Sequence, residues 1–349
     1  MGYLHSYSRR DLTPVRITTV HLRVDLPQCF ARASASPMLA GSPTRLSFPV
    51  MTTAAGACTC PNAEPLAMPP LVQRGAQLHR IQPDGSAVVI EQPRLLASEV
   101  PVALVFNGIS QAVMMATPQD LEALALGFAL SEGILDHAHD CHGIEVTPVR
   151  DSAAALPQGM HGIEVHLEIS SRSFARLKDR RRSMAGRTGC GVCGVESFAA
   201  LDLSFAPLPH YPWTAQIGLP QVLRALHSLR DRQLLNRQSG GLHAAGWCSV
   251  DGTLLAVFED VGRHNALDKL MGSLARKGGL QDPGFVILSS RGSHELVRKC
   301  AKLGVAALAT VSAPTGMGVR MAELTGLRLW GSCRAAQGIL HSPGRGSAD

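Results

Sequence analysis

Between residues 254 and 311 the chain alternates short apolar runs with stretches of helical periodicity, and this alternation constrains the fold more than any other feature. Residues 254–259, 285–289 and 306–311 read as strands, and 265–277 and 295–303 as helices. Strands joined by helices pair in a largely parallel sheet with helices packed against it, so the fold class is α/β. A further helix is expected over 219–235. Upstream, Val88-Val89-Ile90 and 102–106 read as strands, with Asn107-Gly108 supplying a hairpin turn signal after the second. Thr117-Pro118-Gln119-Asp120 opens a helix by its residue types, with Thr as the cap and Pro at the first helical position. Leu121, Leu124, Ala125, Phe128 and Ala129 supply its apolar face, and Glu132-Gly133 supplies its stop. Strand alternation returns over 163–169. No internal repeat or heptad is present.

Composition excludes several function classes. No run of eighteen apolar residues occurs, so no membrane span is expected, and the first twenty residues lack the apolar core of a secretory signal. Nine cysteines, an odd number without framework spacing, suit a reducing compartment, and the expected location is the cytoplasm. The net charge is +6, but residues 1–85, with eight Arg against four Asp or Glu, carry +4 of it. The remaining positive charge is local, and aromatics make up only 4% of the chain, so no nucleic-acid partner is expected. Residues 1–84, rich in Ala, Ser, Pro, Thr and Arg, read as a disordered extension or a misassigned start, with order beginning near Gln77. The division is then 85–200 for a first lobe ending in a cysteine loop and 201–345 for an α/β domain.

That loop is Arg187-Thr188-Gly189-Cys190-Gly191-Val192-Cys193-Gly194, two thiols three residues apart among glycines. Lys178-Asp179-Arg180-Arg181-Arg182 lies just upstream, and positive charge raises the thiolate fraction of a cysteine. Zinc would want four ligands, and no second pair at this spacing exists; no metal is assigned. A redox dithiol and a persulfide carrier both fit, and spacing alone does not separate them. Three polar clusters sit where strands should end, the natural place for a ligand in an open α/β sheet. They are Gly240-Gly241-Leu242-His243, then Glu259-Asp260-Val261-Gly262-Arg263-His264-Asn265 running into Asp268-Lys269, then Ser289-Ser290-Arg291-Gly292-Ser293-His294-Glu295. Arg263 and His264 suit an anionic ligand. The structural alternative has Asp260 capping a helix and Asp268 and Lys269 on a solvated face.

The cysteine loop, the run from Glu259 to Lys269, Ser312-Ala313-Pro314-Thr315, Asn107-Gly108, Thr117-Pro118 and the stretch from Leu126 to Ile134 together resemble the FdhD/NarQ family over roughly residues 85–345. The resemblance implies a cytidine-deaminase-like three-layer α/β/α core with a smaller amino-terminal α+β lobe, assembled as a homodimer. It implies a sulfurtransferase working through a cysteine persulfide, needed for formate dehydrogenase activity. Its partners would be a cysteine desulfurase, the formate dehydrogenase apoenzyme and the molybdenum bis(guanine dinucleotide) cofactor, which is bound as substrate; no permanent cofactor is expected. Cys190 would carry the persulfide with Cys193 assisting. The cofactor-binding segment of the family maps onto Ser332, Cys333, Arg334, Ala335, Ala336 and Gln337, and Arg263, His264 and Arg291 are candidates for its phosphates. This segment departs from the family pattern: Ser332 replaces an aromatic residue, Ala335 a glycine, and Gln337 or Gly338 a basic residue. Gly316 replaces a serine and Val195 a lysine. The alternatives are a zinc-dependent hydrolase on a deaminase-like fold and a chaperone that binds cofactor without chemistry.

Overall fold

The computed structural model describes residues 68–149, 161–183 and 206–345, with the side chains of 180–183 excluded. Cys190, Cys193, Val195, Cys58 and Cys60 lie outside the described residues. The first described element is a two-stranded antiparallel ribbon, β1 (Leu71–Ile81) and β2 (Ala87–Ala97). Residues 71–84, assigned from composition to the extension, therefore form a strand and its turn, and the strand begins six residues before Gln77.

Next comes a four-stranded sheet built from β3 (Val100–Phe106), β4 (Ile109–Ala116), β5 (Cys141–Val149) and β6 (Gly162–Ile169), in the order β4-β3-β6-β5. Asn107 and Gly108 join β3 to β4 with φ of 45° and 80°, the left-handed pair a two-residue hairpin requires. The Asn107 side chain also clamps the end of β6, donating to the Ile169 carbonyl at 3.0 Å and accepting from its N–H at 2.7 Å. Strand alternation puts Val102, Leu104 and Phe106 on one face, all fully buried. Helices α1 (Leu121–Ser131) and α2 (Ser171–Ser183) contribute Leu124, Phe128 and Leu177 to the same core.

Helix α1 starts later than its sequence suggests. Thr117 does not cap it, because its N–H and hydroxyl are engaged elsewhere: its N–H donates to Asp260 Oδ2 at 3.0 Å and its hydroxyl accepts from Val261 N–H at 3.2 Å. Asp120, at φ 54°, is the residue that precedes the first turn. The carboxyl end is as expected, with Gly133 at φ 70°.

The larger layer is a six-stranded sheet in the order β12-β11-β10-β9-β7-β8. Its elements in chain order are α3 (Leu219–Arg232), α4 (Asn236–Ser239), β7 (His243–Ser249), β8 (Leu254–Asp260), α5 (Arg263–Arg276), β9 (Gly284–Leu288), α6 (His294–Lys302), β10 (Ala307–Thr310), α7 (Gly316–Thr325), β11 (Arg328–Arg334) and β12 (Gln337–Ser342). The expectation of a largely parallel sheet needs correction. Only the β9–β10 and β10–β11 pairings are parallel; β7, β8 and β12 join through antiparallel pairings, although β8 points the same way as β9, β10 and β11. A hairpin can extend a sheet without a crossover, so antiparallel edges need no additional helix. Phe285 and Ile287 face α3, while Val286 and Leu288 face α5, α6 and α7, which makes three layers. The two sheets meet where α1 crosses α5. A Cβ on Gly127 would strike the Asp268 carbonyl and one on Gly272 the Ala123 carbonyl, so only glycine allows this approach.

Candidate functional site

Strand pairing brings the three polar clusters to one edge of the larger sheet. His243 at the start of β7 sits opposite Asp260 at the end of β8. Ala244 N–H donates to Ser289 Oγ at 2.8 Å just beyond β9, and Val311 N–H donates to the Leu288 carbonyl. The edge therefore collects the carboxyl ends of β8, β9 and β10 and the start of β7.

Within it the Glu259–Lys269 run divides by hydrogen bonding. Both Glu259 carboxylate oxygens accept backbone N–H groups, from Leu235 at 2.9 Å and Asn236 at 2.8 Å, and so hold the corner between α3 and α4. Asp260 is fully buried: Oδ2 lies 2.7 Å from Lys269 Nζ, and Oδ1 accepts from Gly262 N–H and Asn265 Nδ2. Asn265 Nδ2 also donates to the Met115 carbonyl at 2.8 Å, and Lys269 Nζ donates to the Thr117 carbonyl at 3.1 Å. Asp268 pairs with Lys299 Nζ at 2.8 Å and accepts from Ser131 Oγ at 2.8 Å. Neither Asp268 nor Lys269 is on a solvated face. Both are buried clasps between the smaller and larger sheets, because Met115, Thr117 and Ser131 belong to the first and α5 to the second.

Arg263 and His264, in the first turn of α5, are what the clasp leaves over. Arg263 Nε and His264 Nε2 are buried, and among the described residues neither has a hydrogen-bond partner. His264 Nε2 is 4.0 Å from Glu295 Oε2, and His294 Nδ1 is 3.4 Å from the same oxygen. Burial, together with the charges of Arg263 and Lys299, pushes the His264 imidazole down to about 4, so it is neutral at pH 7. Burial and Arg263 push His243 in the same direction. Nearby, Lys299 and Arg298 overcome burial and hold Glu132 down at about 2.

Arg291 is exposed in the loop after β9. Ser332–Gln337 spans the β11–β12 hairpin, whose residues Arg334 to Gln337 are exposed around the turn. Backbone bonds link the two: Ser332 N–H donates to the Ser312 carbonyl at 3.2 Å, and Ser312 N–H to the Ser290 carbonyl at 3.3 Å. Cys333 instead faces the core, 1% exposed, with burial pushing its thiol up to about 11. Ser332 and Ala335 both have φ of 54°, a region that favours glycine. Among the described residues no hydrogen bond or ion pair joins the Arg263–His264 group to this hairpin.

On the α3 side of the same edge lies a cavity of about 360 Å³, lined in part by Gln233, Asn236, Gly240, His243, Ser289 and Val311. Gly240-Gly241-Leu242-His243 pointed to it from sequence. Gln233 and Asn236 did not stand out, because on an amphipathic helix they read as ordinary polar positions. Among the described residues no group of three His, Cys, Asp or Glu is placed to hold a metal ion, and no helix is long and apolar enough to cross a membrane. The described cysteines, Cys141, Cys248, Cys300 and Cys333, all have thiols pushed up by burial, which disfavours the nucleophilic thiolate.

Comparison with known proteins covers the carboxyl-terminal part of the chain. The model of the FdhD/NarQ family matches residues 97–345. The chain is 52% identical over 239 residues to the sulfur carrier protein FdhD of Burkholderia cenocepacia, covering 68% of this chain and 84% of that one. It is 52% identical over 239 residues to the protein of the same name from Chromobacterium violaceum, and 44% identical over 250 residues to that from Acinetobacter baylyi, covering 85% and 86% of their lengths and 68% and 71% of this chain. In fold it is similar to a formate dehydrogenase accessory protein from Desulfotalea psychrophila, with a TM-score of 0.56 at 22% identity, over 78% of this chain and 97% of that one.

Proposed function

The chain belongs to the FdhD/NarQ family, and on that premise we propose that it is a cytoplasmic sulfur carrier serving formate dehydrogenase. It takes sulfur from a cysteine desulfurase as a persulfide on Cys190 and delivers it to the molybdenum bis(guanine dinucleotide) cofactor, its bound substrate, before the cofactor enters the dehydrogenase. A homodimer is the proposed working form. The observation that carries this reading is the likeness to named sulfur carriers along most of their length. The chemistry of the chain supports it. The described cysteines have thiols disfavoured as nucleophiles by burial, whereas Cys190 and Cys193 follow a basic run and sit among glycines.

In the loading step the Cys190 thiolate attacks the outer, sulfane sulfur of the desulfurase persulfide. A new S–S bond forms, the old one breaks, and the desulfurase cysteine leaves as a thiolate. In the release step the Cys193 thiolate attacks the inner sulfur, giving a Cys190–Cys193 disulfide and hydrosulfide. The two electrons that reduce the sulfur come from the thiol pair, and the carrier needs a dithiol reductant before its next turnover. The phosphates of the cofactor suit Arg263, Arg291 and Arg334, whose guanidinium groups donate in a fork.

Mass spectrometry of the intact protein and its peptides, after incubation with a cysteine desulfurase and cysteine, tests the reading. A gain of one sulfur on the Cys190 peptide is expected, reversed by reductant and absent in Cys190→Ala. Loading that survives Cys190→Ala, or no loading at all, would refute it.

A further inference from the structure

Helix α2 carries more charge than its place in the fold uses. Six of its thirteen residues are basic, and Asp179 is its single acid. Its inner side is settled: Ser173 and Leu177 are each 1% exposed, and Leu177 belongs to the core of the smaller sheet. Arg172, Ala175, Lys178 and Asp179 face out. Arg176 pairs with Asp136 at 2.5 Å and donates to the Ile134 carbonyl at 3.3 Å, which ties α2 to the loop after α1. Among the described residues no hydrogen bond or ion pair engages Arg172 or Lys178; Lys178 Nζ rests 4.6 Å above the half-buried Phe174 ring.

This arrangement works against the helix. Arg172 and Arg176, and likewise Lys178 and Arg182, are four residues apart, the spacing at which like charges on a helix repel. Basic residues near the carboxyl end answer the helix dipole, but that effect is confined to the last turn and does not reach Arg172. The neighbouring surface does not neutralise the helix either. Asp136 is already taken by Arg176, whose hydrogen bond holds that carboxyl below its usual range, and Lys302 of α6 adds to the pull. Charge that repels itself within the fold is stabilised by an opposite charge from outside.

Position narrows the partner. Ser183 ends α2 and Cys190 follows seven residues later, so the two are at most about 25 Å apart. The helix is about 20 Å long, a face of the size that transient complexes use, with Phe174 and Ala175 as an apolar centre and cations around it. A carrier must release its donor after loading, and a small charge-steered contact suits that. Nucleic acid would want a longer basic track or stacking rings, and the only ring on α2 is the half-buried Phe174.

We propose that the outward face of α2 docks an acidic surface on the protein that donates the sulfur, with Arg172 and Lys178 steering the encounter. That the donor is a cysteine desulfurase rests on the proposed function.

The test compares two routes of loading in the full chain, from a cysteine desulfurase with cysteine and from free cysteine persulfide, alongside calorimetric binding of the desulfurase. Arg172→Glu combined with Ala175→Glu reverses the face at two exposed positions outside the run Lys178–Arg182, and glutamate suits a helix. Desulfurase binding and the second-order rate of loading from it are each expected to fall about tenfold at low salt, with the deficit shrinking as salt rises. Arg172→Lys should keep most of the wild-type rate. Loading from cysteine persulfide should be unchanged, because a small donor needs no docking face.

A double variant that binds the desulfurase and loads from it as the wild type does overturns the proposal. So does equal slowing with both donors, which would put the effect on the thiol. Retention of a single-stranded oligonucleotide, lost in the double variant while desulfurase binding persists, would give the face to nucleic acid and overturn it too. The carrier reading fails separately. No sulfur on wild-type Cys190 from either donor sinks the carrier, and desulfurase binding that still depends on α2 leaves the docking face standing.

Discussion

The junction between the two sheets and the open edge of the larger one are built from the same stretch of sequence, and they treat polar groups in opposite ways. At the junction every charge has an answer. Asp260 meets Lys269, Thr117, Gly262 and Asn265, and Asp268 meets Lys299 and Ser131. At the edge Arg263 Nε and His264 Nε2 are buried with no hydrogen-bond partner among the described residues, and Gln233 lines a cavity. Satisfied buried groups specify architecture, whereas orphaned ones cost stability unless a ligand meets them. A single motif can therefore serve both ends, and hydrogen-bond satisfaction tells which residue serves which.

Breaking the junction should have the largest effect. Lys269→Met strands the Asp260 carboxylate in the interior and is expected to cost about 3–5 kcal/mol in urea unfolding. An unchanged midpoint would mean that the clasp contributes nothing. Gly127→Ala drives a methyl group into the Asp268 carbonyl and should cost about 1–3 kcal/mol by the same measurement, more than an alanine on the exposed face of α1 would.

The edge should respond differently. Ala335→Gly relieves a left-handed residue in the β11–β12 turn and is expected to raise stability by about 1 kcal/mol in thermal unfolding. A loss instead would show that Ala335 has contacts that outweigh its φ. His264→Gln should have the smallest effect at pH 7, under about 0.5 kcal/mol. Its signature is in the pH dependence. With His264 at about 4 when folded against an ordinary value of 6.5, the unfolded chain binds more protons between those values. Wild-type stability should therefore fall as pH drops from 6.5 to 4, with Glu132 adding a further loss below 4.5, and the glutamine variant should fall less across the upper window. Equal slopes in stability measured across that window would argue that the imidazole is not held neutral.

The Asn107-Gly108 turn, the strand over Gly162–Ile169 and the helices α3, α5 and α6 were legible because each rests on local preference: turn residues, period-two alternation or an apolar stripe at helical spacing. The start of α1 was not. Thr117-Pro118 carries every local mark of a helix opening, but a carboxylate 143 residues away takes its amide. The ribbon β1–β2 was hidden by its mixed composition, since only pairing makes its polar strands a sheet. The three clusters at the strand ends were visible as residue types, yet their division into clasp and edge was not.

Sequence alone determined the α/β class, the stop of α1 at Gly133, the cysteine pair of the glycine loop and the family likeness. These arise from residue types and short spacings, which act without knowledge of the rest of the chain. Tertiary structure decided that β7, β8 and β12 pair antiparallel, that Asp268 and Lys269 are buried, that Cys333 faces inward and that Gln233 lines a cavity. Each of these depends on which distant group arrives beside a residue. Burial and hydrogen-bond satisfaction are properties of that meeting and not of the residue itself.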